Sequence, residues 1–413
     1  MAVGTRRDPH VVFALGLIAA GTCACSPETQ PIPATVRDSA DVRIVEHPAS
    51  TAGLPIWSLT EAPEAVIGRA AEEDPAHQFT QVRGAVRLSD GRIVVGDWGS
   101  KEARYFDATG QHLLTVGGAG EGPGEVRFLY AVDRVGGDTL VVGGWPIGSR
   151  YWFDRGGDFV RSQALGPWFP GMLGRTLPDG SLLLDTFEFG SYGNTLENWA
   201  ANGPEEDFRP AGIVERVSVD GAHVDTIAPI LGELHHKMGA LPLNFAMHAL
   251  PYTPVGLVAW SATRIFVGHT ERPEIRVHSY DGALQTIIRW TAEPVPVRTV
   301  DQRAFEDDLM AGLRRPDLAP RFRRWLSEIT YPELKPAFAA MISDESGNLW
   351  VRPSAPGDAS AVSWTVYGPA GVAVATVSVP GHYRLLDVDD TNLLATWKDE
   401  LDVEYVSSHR VLR

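Results

Sequence analysis

The sequence predicts an all-β chain folded as a six-bladed β-propeller, a ring of small four-stranded sheets. Three observations predict it. A unit of four short strands recurs along the chain. Its turns carry the same residue types at the same places. The last copy stops one strand short, while strand-like stretches stand before the first copy. Open sheet edges invite unwanted pairing, and a ring closed by the N-terminal segment removes them.

The clearest copy, unit one, is residues 84–116: GAVRLSD, GRIVVGDW, GSKEARYFD, ATG, QHLLTV. Asp90-Gly91 joins its first two strands, a pair suited to the positive φ of a tight hairpin, and 107–110 joins the last two. Unit two (131–165) turns at Gly137-Asp138 and again at 154–157. Unit three (172–230) turns at Asp179-Gly180 and Asp220-Gly221, and unit four (255–290) at 261–263 and Asp281-Gly282. Unit five (338–379) turns at Ser346-Gly347 and 368–371. Unit six (383–412) turns at 389–391 and ends after a third strand, 404–411. Of the strand-like stretches 42–46 and 57–67, the second is expected to supply the fourth strand of unit six. Between units four and five, Phe305, Leu309 and Leu313 recur at four-residue spacing, the mark of a helical stripe. A helical insertion is therefore expected at about 294–337, capped by Asp301 and stopped by Pro316, with a second helix carrying Phe322, Trp325, Leu326 and Ile329.

The stretch LSDGRIVVGDWGSKEARYFDATGQHLLTVGGAGEGPGE resembles an NHL-type repeat, as found in six-bladed propellers of the NHL and TolB-like groups. The resemblance covers 81–125; elsewhere it reduces to turns and apolar pattern. The overall layout is similar to that of bacterial six-bladed propeller lipoproteins. This implies a fold and not an activity.

Ahead of the fold, Arg6-Arg7 and the short apolar run 11–20 read as a signal peptide (1–24), too short to span a bilayer. Thr22-Cys23-Ala24-Cys25-Ser26 resembles a lipobox with Cys25 as the acylated residue, which implies an exported envelope lipoprotein; the plainer reading is secretory cleavage without lipid. Residues 25–40 read as a polar, Pro-rich tether and 41–413 as the propeller. Cys23 and Cys25 are the only cysteines, so the body has no internal disulfide, no cysteine zinc site and no cysteine nucleophile. The net charge of −16 argues against nucleic acid as a partner.

The turns that join first to second and third to fourth strands are short. The long segments 117–125, 187–209, 231–254 and 291–337 all fall at the other end of the strands. Insertions in repeat folds gather on the binding face, so a site is expected there, at the mouth of the central channel. Seven residues after the first turn stand Trp98, Trp145, Phe187 and Trp397, a ring of aromatics that lines a ligand cleft or wedges between blades. Arg314 and Arg315 belong to a basic cluster with Arg321, Arg323 and Arg324, suited to an anionic ligand or to a solvated helix face. His235, His236, His248 and His269 are candidate ligands for a divalent metal, against the alternative of packing histidines. Asp97, Asp185 and Glu188 are oxygen-ligand candidates for calcium. No G-x-S-x-G elbow is present. The function expected is a non-enzymatic binding or scaffolding module without a cofactor, recognising a protein, peptide or glycan and held to the membrane by its lipid. The alternative is a metal-assisted lyase, lactonase or other hydrolase with its ion at the channel mouth.

Overall fold

The computed structural model describes Met1 and residues 34–68, 74–144, 149–164, 173–188, 205–238, 247–313 and 315–413. Cys25, Trp145 and Arg314 lie outside the described residues, as does most of the expected signal peptide and tether.

Unit one is an antiparallel meander of Val82–Arg87, Ile93–Asp97, Glu102–Phe106 and His112–Gly117 in spatial order. Its first hairpin turns at Gly91, whose φ of 90° lies where a side chain is strained. The second strand is buried along its whole length and accordingly reads as an apolar run. Units two, three, four and five repeat the four-strand order. Their first strands are Leu129–Val135, Leu173–Thr176, Gly256–Trp260 and Phe338–Ser343; that of unit six is Arg384–Val388.

These first strands pack in sequence. The first strand of unit one touches that of unit two, which touches that of unit three. The outer strand of unit three, Val224–Leu231, meets Gly256–Trp260. Unit four meets five, five meets six, and Arg384–Val388 returns to Val82–Arg87. Such a closed circuit of antiparallel meanders is a β-propeller. The core lies between units. One cluster joins Val86, Val94 and Tyr105 to Leu129, Val132 and Phe153; another joins Trp350, Val366 and Val377 to Leu393 and Val411.

The ring closes through the N-terminal segment, which splits into two strands. Ile56–Leu59 pairs in parallel with the outer strand of unit five (Thr376↔Ile56, Val377↔Trp57) and antiparallel with Glu404–Leu412 (Ser58↔Leu412, Leu59↔Val411). Ala65–Ile67 then pairs with Ser408, Ser407 and Val406.

Three expectations need correction, and one strand that the sequence left unassigned finds its place. The tether does not run to residue 40, because Thr35–Ser39 is a strand, paired with Val42–Glu46 across a turn where Ala40 and Asp41 have φ of 50° and 66°. Two positive φ values in a row make a tight hairpin without the Asn-Gly signal. That hairpin extends unit four, Val42–Glu46 lying parallel to its outer strand (Val45↔Ile288). Next, α1 (Thr299–Ala311) begins at the N-cap Arg298, and Asp301 is its third residue, accepting the Arg298 N–H at 2.8 Å. Last, α1 ends at Gly312, before Pro316. The second helix, α2 (Ala319–Glu328), buries Phe322 and Trp325 with Met238, and Phe305, Leu309 and Leu313 pack on the same cluster. Beneath it lies a small sheet of Glu206–Phe208, His235–Lys237 and Met247–Ala249, formed by the connections after the second strand of unit three and after unit three itself.

Candidate ligand-binding channel

The first strands of all the units face a common cavity of about 970 Å³. Its ends differ chemically. Strand direction places the first-to-second turns at one end, and there the charges are paired within the protein. Asp138 accepts from the Ser89 N–H at 3.0 Å and hydroxyl at 2.5 Å, and faces Arg134 at 3.5 Å. Arg134 also pairs with Glu345. Asp344 accepts from the Asn348 N–H at 2.8 Å and the Trp350 indole at 3.1 Å. Asp387 accepts the Arg87 N–H at 2.9 Å; burial raises its pKa above the ordinary value, a shift that hydrogen bond opposes.

Toward the opposite end, where the first strands begin, Arg83 and Arg384 line the cavity; Arg175, the next-to-last residue of its strand, lines it from nearer the turns. Arg175 binds Asp133 at 2.7 Å, and its guanidinium lies 4.9 Å from the Trp260 ring centre. Arg384 donates to the Val82 carbonyl at 2.9 Å. Burial lowers its pKa; the carboxylate of Glu404 opposes that, and the positive charges of Arg83 and Arg175 add to it. Arg384 is therefore within electrostatic range of both other cations. Arg83 lies 5.8 Å from the Trp98 ring centre, and its Nε, shut off from solvent, has no hydrogen-bond partner. Glu404 is already engaged by the Val82 N–H at 2.5 Å. Tyr130 completes this end.

Asp185 lines the same cavity from the second strand of unit three, paired in register with Leu173 and Val214. Among the described residues its carboxyl has no hydrogen bond or ion pair, and burial alone pushes its pKa up to about 7. It departs from a pattern. Five residues after the first turn, units one, two and four carry Gly96, Gly143 and Gly268, and unit six has Ala395 four residues after its turn; unit three carries Asp185 and unit five Arg352. A small residue is needed there because the next unit packs close: a Cβ on Gly96 would stand 2.2 Å from Val132 Cγ2. This break in the small-residue pattern is the sequence signal that singles out Asp185.

The structure places the other sequence candidates away from the cavity. Trp98 stacks on Phe128 with ring centres 6.3 Å apart, Trp397 on Tyr405 at 4.5 Å, and Phe187 packs with Leu183, Val214 and Ile230. Trp98, Phe187 and Trp397 thus wedge against their own or the next unit, and none of them lines the cavity. Arg315 is exposed and holds Asp317 at 2.6 Å. His236 and His248 face each other across the small sheet. His236 is bound to Asp207 at 2.7 Å and stacked on Trp325; His248 is edge-on to Phe322 at 4.6 Å. His235 stacks on Phe208, and burial lowers its pKa. His269 reaches the Pro229 carbonyl at 3.3 Å in unit four. Among the described residues no group of three or more His, Cys, Asp or Glu is placed to hold a metal ion. Asp97 is spent on backbone, accepting from Thr80, Gln81 and Ser100 N–H groups at 2.8–3.0 Å. The Glu188 side chain lies outside the described residues.

No family model and no curated protein sequence matches the chain. Solved structures do resemble it. A protein of Bacteroides fragilis named as exported aligns over 90% of this chain and 100% of its own, with 11% identity and a TM-score of 0.47. A DUF4221 family member from Bacteroides vulgatus covers 86% and 98%, with 9% identity and a TM-score of 0.47. A gluconolactonase of Xanthomonas campestris covers 85% and 99%, with 12% identity and a TM-score of 0.41. At these values the likeness says nothing of activity, and the propeller stands on the strand pairing and packing of the chain itself.

Proposed function

We propose that the chain is an exported, lipid-anchored, six-bladed β-propeller that acts as a non-enzymatic binding module. Its ligand enters the central channel at the end where the first strands begin. One observation carries this reading: toward that end the cavity of about 970 Å³ offers Arg83, which has no hydrogen bond or ion pair among the described residues, and the unpartnered carboxyl of Asp185, while the charges at the other end satisfy one another. Its volume is within the range of small-molecule sites, and a few placed polar groups on an otherwise mixed lining are what orient a ligand.

The test is retention of small molecules from a cell-envelope extract by the purified chain, read by mass spectrometry. Wild-type protein should retain a defined species, and Val258→Trp, which narrows the cavity from unit four, should not. Equal retention by both would remove the channel from the function. A stoichiometric metal ion in the purified protein, together with turnover of a lactone, would replace this reading with the hydrolase one. Cys25→Ala should move the protein from the membrane fraction to the soluble fraction; continued membrane retention would refute the anchor.

A further inference from the structure

Resting on the channel reading, we infer that the channel holds an oxyanion site: Arg83 and Arg384, toward the end where the first strands begin, and Arg175, nearer the turns, together take a carboxylate or phosphate group carried by a small organic molecule.

Three cations lining one cavity, Arg384 within electrostatic range of the other two, in a chain of net charge −16, call for a counter-charge. The protein supplies too little of it. Arg175 has Asp133; Arg384 feels the charge of Glu404, which also serves the Val82 N–H and lies 3.9 Å from Lys398; Arg83 has no hydrogen bond or ion pair among the described residues. The carboxylates at the turn end do not answer this need, because Ser89, Arg134, Asn348, Trp350 and the Arg87 N–H already hold them. A buried donor without an acceptor is costly, and a planar guanidinium matches a carboxylate or phosphate in a two-pronged way. Asp185 fits the same picture: burial pushes the pKa of its carboxyl up to about 7, so that below this pH it is mostly neutral and does not repel an incoming anion as an ordinary carboxylate would. Val258, Met341, Leu385 and Trp260 share the lining and give an organic body something apolar to meet.

Calorimetric titration of the full chain at constant ionic strength tests this with benzoate, phenyl phosphate, inorganic phosphate and, as the neutral control, benzyl alcohol. At least one of the aromatic anions should bind saturably and benzyl alcohol should not; the tighter of benzoate and phenyl phosphate identifies the group. Inorganic phosphate bound as well as phenyl phosphate, and unaffected by the variants, would mean an adventitious ion only. Arg83→Gln should weaken the binding about tenfold or more, with Arg83→Lys intermediate; among the described residues Arg83 makes no ion pair, so circular dichroism and melting of these variants should match wild type. Arg384→Gln is the second variant. Binding of benzyl alcohol equal to the anions, no binding of any anion, or undiminished binding by Arg83→Gln overturns the inference. If no anion binds while Val258→Trp still abolishes retention from the extract, the oxyanion site falls and the channel reading survives.

Discussion

Asp185 is a carboxyl on a sheet strand with no partner, and its energetics follow from that. Its folded pKa is about 7 against an ordinary 3.8, so between those values the native state holds a proton that the unfolded chain has released. The unfolded state then binds fewer protons, and stability falls as pH rises across this window, levelling off above 7. Asp185→Asn keeps the shape and removes the titration. It should match wild type near pH 4 and exceed it at pH 8 by roughly 3–4 kcal/mol, at one pKa unit per 1.36 kcal/mol. Denaturant unfolding at the two pH values measures this; a wild-type stability that does not decline between them would show that the carboxyl has an unseen partner. Asp97 and Asp133 make the contrast. They are buried as well, but backbone N–H groups and Arg175 occupy their oxygens. Residue type alone does not separate these three aspartates. What does rank them is register, through the small residues that Asp185 replaces.

At the level of strands and turns, much was legible. Asp90-Gly91, Asp179-Gly180 and Ser346-Gly347 announced hairpins because the glycine in each adopts a positive φ that few other residues accept. The paired hairpin at Ala40-Asp41 went unread because its residues carry no such preference. The small sheet under α2 went unread for another reason: its strands are three residues long and Glu206–Phe208 is separated from His235–Lys237 by all of the outer half of unit three. The aromatics at the end of the second strands were found by spacing, but spacing does not say that Trp98 and Trp397 turn to Phe128 and Tyr405 instead of the channel. Gly96 shows how tightly successive units approach. An added methyl at 2.2 Å from Val132 Cγ2 and 3.0 Å from Leu129 Cδ2 must push the first strand of unit two outward. Gly96→Ala should lower stability by roughly 1–3 kcal/mol, and Gly91→Ala should act through backbone strain alone. Melting curves separate them, because a second substitution Val132→Ala should relieve the first and not the second.

For the molecule as a whole, stability depends on joining what lies farthest apart in sequence. Ile44, Val45 and Ile67 are buried on units four and six, and His409 Nδ1 lies 3.1 Å from the Thr60 carbonyl, 349 residues away. Burial of those three aliphatic side chains contributes on the order of 5 kcal/mol, taking 1.5–3 kcal/mol for each. A chain beginning at residue 68 should therefore lose the single cooperative unfolding transition and expose the edge of Glu404–Leu412, which aggregation measured by light scattering would report. Adding the peptide 34–67 in trans should restore monomeric protein; a truncated chain that melts as sharply as wild type would mean that the ring holds itself shut. The same pairing also constrains how the molecule is made. Residues 35–67 are synthesised well before their partners, the outer strands of units four, five and six. The early segment must wait, unpaired, until Glu404–Leu412 has been made, so the ring cannot shut before that strand is available.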